Sequence, residues 1–195
     1  MLHSFYMSPT SFVIVGLGNP DKEYEKTRHN TGLIVLEHIK ELCNFSSWKF
    51  DSKKNALVSE GEIGNRPVLL VRPSVFMNES GKTVRAFIKK MSELSRLIVI
   101  HDELDLPIGS YKVSFDRGAA GHKGVLSIFR SLKSGAFFRI RVGILARFRG
   151  AVKKPKGTKS VTSFVLGRFT KREKETLENV SGFVKKEIEK IISDA

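Results

Sequence analysis

Apolar residues along the chain fall into short runs and helical stripes separated by polar turns. Residues 12–15, FVIV, form an unbroken apolar run closed by Gly16 and Gly18, and a run this short between turn formers predicts a buried strand. A polar loop then delivers Asn19, Arg28, His29 and Asn30 before the next periodic segment. Leu33, Leu36, Ile39 and Leu42, with Cys43, recur at helical spacing, and Asn44 is the expected stop. Ala56–Ile63 and residues 68–71 flank the turn signal Gly64-Asn65-Arg66-Pro67. That hairpin makes the sheet mixed.

Val84, Phe87, Ile88 and Met91 predict a helix that starts just after Asn78, for which Asn78 or Ser80 would serve as cap. Residues 97–100, LIVI, predict a second short buried strand, with turn and acidic residues, HDELDLP, directly behind it. A strand at Tyr111–Phe115 follows, then the loop DRGAAGHKG and a helix marked by Val125, Ile128, Phe129 and Leu132. Phe138, Ile140, Val142 and Ile144 alternate with Arg139 and Arg141, the period of a half-exposed strand with a basic outer face. Leu177, Val180, Val184, Ile188 and Ile191 mark a C-terminal helix. Strands alternating with helices predict one α/β domain over residues 12–195, a mixed, mostly parallel central sheet flanked by helices. Residues 1–11 are expected to be a flexible extension.

Charge sharpens this picture. The chain carries 34 Lys and Arg against 20 Asp and Glu, a net charge of +14, and the segment 171–195 is balanced at six of each sign, so the excess lies in residues 1–170. Residues 147–160 hold Arg147, Arg149, Lys153, Lys154, Lys156 and Lys159 with no acid, and read as a mobile basic loop. A field of this sign favours a polyanion, nucleic acid before membrane. No apolar stretch approaches the roughly 18 to 20 residues of a membrane span. The first eleven residues, without Lys or Arg, resemble neither a secretory signal nor a transit peptide. Cys43 is the only cysteine, which excludes an intramolecular disulfide and fits a reducing compartment, so a cytoplasmic location is expected.

Two apolar runs, each feeding polar residues, are what neighbouring strands need to bring His29 and Asp102 together. GLGNP lacks the third glycine of a dinucleotide loop, and no Lys-Ser/Thr pair completes a triphosphate loop. One cysteine and five scattered histidines offer no metal-ligand spacing; no cofactor and no metal are expected. What remains is a histidine, a carboxylate and the amides Asn19 and Asn78. A neutral imidazole can take a proton from water, a carboxylate on its other nitrogen fixes the tautomer, and amide NH2 groups can hold a developing oxyanion. Such a set suits hydrolysis of an activated ester by water.

VGLGNP, EYEKTRHNTG, PSVFMNESG, HDELDLPIG, GHKG and SFVLGRF, in this order from about Val13 to Phe169, resemble the ordered signature of bacterial-type peptidyl-tRNA hydrolases. The resemblance implies a monomer that cleaves the ester between a peptide and the terminal ribose of tRNA without a metal. It implies His29 as base, Asp102 as its partner, and Asn19 and Asn78 as holders of peptide backbone, water and histidine. Tyr24, Met77 and His122 would line the same cleft. The chain departs from the family pattern in Asp116, Arg117, Ala119 and Ala120, where glycines are usual, and in Lys123, where the family has asparagine. Ser114 stands where a second basic residue often joins the equivalent of Arg141 in gripping the terminal phosphate. Recognition of the tRNA end would then rest on Lys112, Arg117, Lys123 and Arg141. The competing expectation is a non-catalytic RNA-binding relative with the same fold, which Lys123 favours and the intact His29 and Asp102 oppose.

Overall fold

The apolar run near the start of the chain becomes β1 (Phe12–Gly16), buried at every position. The computed structural model describes residues 11–148, 151–152 and 154–195. After β1 come α1 (Thr31–Leu42), β2 (Lys49–Asp51), β3 (Ala56–Ile63), β4 (Arg66–Pro73), α2 (Ser80–Phe87), β5 (Leu97–Pro107) and β6 (Tyr111–Phe115). The chain continues through α3 (Lys123–Leu132), β7 (Phe138–Leu145), β8 (Arg147–Phe148), β9 (Ala151–Val152), α4 (Thr158–Val165) and α5 (Lys171–Ser193). Seven strands form one sheet in the order β2-β3-β4-β1-β5-β7-β6. The central β4, β1, β5 and β7 are parallel, with antiparallel strands on both flanks.

Side chains alternate across a strand, so β1 serves two cores. Phe12 and Ile14 pack with Val35, Leu36 and Ile39 of α1 and Leu177, Val184 and Ile188 of α5. Val13 and Val15 pack on the other face with Val84 and Phe87 of α2 and Val125 and Ile128 of α3. The chain thus leaves β1 through a helix on one face and reaches β5 from a helix on the other. Their carboxyl ends form the crevice in which doubly wound sheets bind ligands. Gly32 lets α1 come close there: a Cβ on it would stand 2.3 Å from the carbonyl oxygen of Ile100 and 2.5 Å from the nitrogen of Leu17.

The hairpin turn is tighter than the sequence suggests. Gly64 and Asn65 both adopt left-handed backbone, at φ +58° and +60°, and Arg66 and Pro67 already belong to β4. A two-residue loop of this kind matches the twist of its strands. Helix α2 ends at Phe87, with Ile88 extended and Met91 exposed in a separate turn, so the stripe read through Met91 ran past the true end. Neither Asn78 nor Ser80 caps it; its first residue follows Glu79 without a side-chain cap. Leu42 is 53% exposed and lies outside the core.

Three further expectations change. Residues 101–107 are not a turn but the second half of β5, which stays paired with β7. Strand β7 has no exposed basic face: Arg139 is 1% exposed, and its Nη2 donates to the carbonyls of Arg117 at 2.7 Å and Gly118 at 3.2 Å. The basic segment 147–160 is not one loop either, since β8 pairs with β9 and α4 begins at Thr158. Lys154 meets the carboxylate of Asp105, so that charge has a partner; Arg149 and Lys153 lie outside the described residues, as do residues 1–10.

Candidate active site

Leu17 continues from β1 by donating its N–H to the Ile100 carbonyl at 2.9 Å, which brings the loop after β1 beside the middle of β5. Asn19 and Asn30 clasp across that loop: the Asn19 N–H donates to Asn30 Oδ1 at 2.9 Å, and Asn30 Nδ2 donates to the Asn19 carbonyl at 3.0 Å. The clasp fixes a short turn, Arg28–Asn30, from which His29 projects. His29 Nδ1 lies 3.0 and 3.1 Å from the two carboxylate oxygens of Asp102, as the sequence led us to expect.

The sequence did not show that Asp102 holds a second imidazole. His122 Nε2 lies 2.8 Å from Asp102 Oδ1. His122 also caps α3, its Nδ1 accepting the Val125 N–H at 3.3 Å. An Nδ1 that accepts leaves a proton on Nε2, so His122 donates Nε2–H to Asp102. A histidine directly before an apolar helical stripe was the available clue. His29 then donates Nδ1–H to the same carboxylate, and its Nε2 keeps the lone pair. His101 packs edge-on against the His122 ring, with centroids 4.6 Å apart. Its Nδ1 donates to the Asp102 carbonyl at 2.7 Å, and burial, with the neighbouring His122, pushes its pKa well below the ordinary histidine value.

Burial opposes a charge on Asp102, which is 4% exposed, yet the facing His29 and His122 outweigh it and hold the carboxyl far below the usual range. For His29, burial works downward, but the charge and hydrogen bond of Asp102 win, and the imidazole titrates above its ordinary value. Lys123 opposes this rise weakly. His29, Asp102 and His122 place one ligand atom each within 4.8 Å of one another, a cluster that the scattered histidines of the sequence concealed.

These groups open into a cleft of about 680 Å³. Asn19, Tyr24, Met77, Asn78 and Lys123 line it with the three site residues, and Val161, Thr162 and Val165 of α4, with Leu166 just beyond it, form a wall. Asn19 Oδ1 accepts the Met77 N–H at 2.9 Å, which turns its NH2 edge away from that contact. Met77 is buried, whereas Asn78 and Lys123 are exposed. Lys112 and Arg141 stand apart from this lining, opposite each other across β6 and β7. The Arg141 guanidinium is already held by Glu103, at 2.7 and 2.8 Å, with Ser114 Oγ at 3.4 Å.

Ala120, in the loop over the cleft, has φ +48°. A Cβ in left-handed backbone costs about 1 kcal/mol, so Ala120→Gly should stabilise the fold by about 0.5 kcal/mol after the entropy of the freer unfolded chain is counted. Urea unfolding of the two proteins measures this, and a lower midpoint would refute the strain.

The peptidyl-tRNA hydrolase family profile matches residues 13–195. A peptidyl-tRNA hydrolase of Mycoplasma capricolum is 40% identical over 177 residues, covering 88% of this chain and 90% of that protein. One from Halalkalibacterium halodurans is 38% identical over 166 residues, with 85% and 84% covered. The crystal structure of peptidyl-tRNA hydrolase from Acinetobacter baumannii superimposes with a TM-score of 0.83 at 28% identity, covering 95% of this chain and 90% of that one.

Proposed function

The chain belongs to the peptidyl-tRNA hydrolase family and hydrolyses the ester of peptidyl-tRNA; we propose that it does so through water activated by His29. The observation that carries this assignment is the Nδ1 contact of His29 with Asp102, which leaves Nε2 free as a base at the cleft. Water positioned at Nε2 gives up a proton as its oxygen attacks the peptidyl carbonyl carbon, and Asp102 stabilises the imidazolium. The NH2 groups of Asn19 and Asn78 are assigned to the peptide carbonyl and the developing oxyanion. When the carbon–oxygen bond to the ribose breaks, the imidazolium returns the proton to the leaving hydroxyl. The products are a free peptide carboxylate and tRNA.

A relative that only bound RNA would have no use for an ionised carboxylate buried between two imidazoles. Release of the blocked amino acid from an N-blocked aminoacyl-tRNA, followed alongside tRNA binding, tests the assignment. Binding without release would overturn it. Tyr24 and Met77 are assigned to the peptide side, and the exposed Lys112, Arg117 and Lys123 to phosphates. Arg141 would reach a phosphate only by sharing or leaving Glu103. The protein is assigned to the cytoplasm as a monomer, which sedimentation of the purified chain tests.

Lys123 is exposed as the first residue of α3, and a long hydrated ammonium there suits phosphate contact. Lys123→Asn should preserve or raise turnover and flatten the logarithmic salt dependence of tRNA affinity by about one unit or less. It should also let the His29 pKa rise a little further, because an opposing charge is removed. Abolished hydrolysis with intact binding would instead place Lys123 in the chemistry.

A further inference from the structure

Arg28 stands next to His29 but points away from the cleft, into the junction between α4 and α5. Its Nη2 donates to both carboxylate oxygens of Glu173, at 2.9 and 3.0 Å, and its Nη1 donates to the Arg168 carbonyl at 2.7 Å. The guanidinium carbon lies 4.9 Å from the ring centre of Phe164 and 5.2 Å from that of Phe169. Backbone bonds tighten the junction: the Arg28 N–H donates to the Gly167 carbonyl at 2.9 Å, and the Phe169 N–H to the Lys26 carbonyl at 3.1 Å.

Glu173 is fixed from the other side. It forms a reciprocal cap with Thr170, whose N–H donates to Glu173 Oε2 at 2.7 Å while Thr170 Oγ1 accepts the Glu173 N–H at 3.3 Å. Helix α5 is anchored in the core through Leu177, Val180 and Val184. Helix α4, which supplies a wall of the cleft, has no fully buried residue and so depends on its ends for its position. The Arg28 fork therefore joins the turn that carries the imidazole to the segment that carries the opposite wall. Arginine suits this place because its planar fork can grip a carboxylate twice and a carbonyl once while stacking on aromatic faces; a lysine can do none of these together.

We propose that Arg28 is a positioning residue, which with Glu173 locks the His29 turn to the α4–α5 junction so that imidazole and substrate wall keep one geometry. This rests on the assignment of His29 as base. Its test uses the full chain with Arg28→Lys, Glu173→Gln and the double variant, each well below its unfolding temperature. The readouts are kcat, KM and the NMR titration of the His29 imidazole. Each single variant should lose about 10-fold in kcat, the scale of a sub-ångström misplacement. The double should be no slower than the slower single, because the two act as one unit. The His29 titration should fall toward the ordinary histidine value as its contact with Asp102 loosens, while the other groups facing that ring, His122 at the cap of α3 and Lys123 in its first turn, are unaltered. Unchanged kcat and an unchanged titration in both singles, even with earlier melting, would overturn the proposal. If Arg28→Lys does not fold, Glu173→Gln decides alone. Full turnover in His29→Ala would refute the base assignment instead, and the imidazole titration would still report on the lock.

Discussion

Asp102→Asn is expected to lower kcat by about 10²-fold or more, and the reason lies in His122. Because the Val125 N–H engages His122 Nδ1, His122 must present Nε2–H to residue 102, and an asparagine there would turn its carbonyl oxygen toward that donor. Its NH2 would then take the second position facing His29 Nδ1 and compete with the shared oxygen for it; a ring that accepts from this NH2 carries its proton on Nε2, where the base is needed. The variant would hold a well-packed histidine in the wrong tautomer. The pH profile carries a second signature. Since the raised pKa of His29 comes from Asp102, acting against burial, the native enzyme should lose kcat/KM as pH falls through a value above the ordinary histidine range. In Asp102→Asn the acid limb should move to lower pH, because burial is then unopposed. A limb that stayed in place would mean that another group controls it.

His29→Ala should cost about 10²- to 10⁴-fold in kcat, the range for removal of a positioned general base, with tRNA affinity changed little. On the reading proposed above, affinity for the polyanion would come from exposed cations such as Lys112, Arg117 and Lys123, which the substitution leaves alone. The Asn19–Asn30 clasp does not involve the imidazole, so the variant should fold. Single-turnover release of an N-blocked aminoacyl group, set beside a binding isotherm, separates the two quantities. Near-native release would remove His29 from the mechanism. Loss of binding together with release would make it a substrate contact instead.

The elements read correctly from the sequence are those in which side-chain period and burial agree. Strand β1, the hairpin, α1, α3 and α5 all place apolar residues on a packed face. Two of the errors share a cause, which is partnering between residues far apart in the chain. The second half of β5 reads as a turn because it carries Asp102 and Glu103, yet two histidines and Arg141 satisfy those carboxylates and let the strand run on. Arg139 reads as surface because its charge is answered by backbone carbonyls of a loop more than twenty residues away. Helix α4 buries nothing fully and so leaves no stripe to read. In the site, the pairing of His29 with Asp102 could be inferred from two strand ends, but the place of His122 depends on how α3 sits, which no spacing shows.

Strand β1 has a consequence for the order in which the protein can be made. It comes first among the described strands, and it pairs on one side with residues 68–71 and on the other with residues 97–100. An apolar ribbon therefore leaves the ribosome long before either neighbour exists, and it acquires its second edge only after half the chain has emerged. One face of the finished sheet waits longer still, until Leu177, Val184 and Ile188 arrive with the last helix. Nascent chains with such distant pairings fold slowly and expose adhesive surface meanwhile.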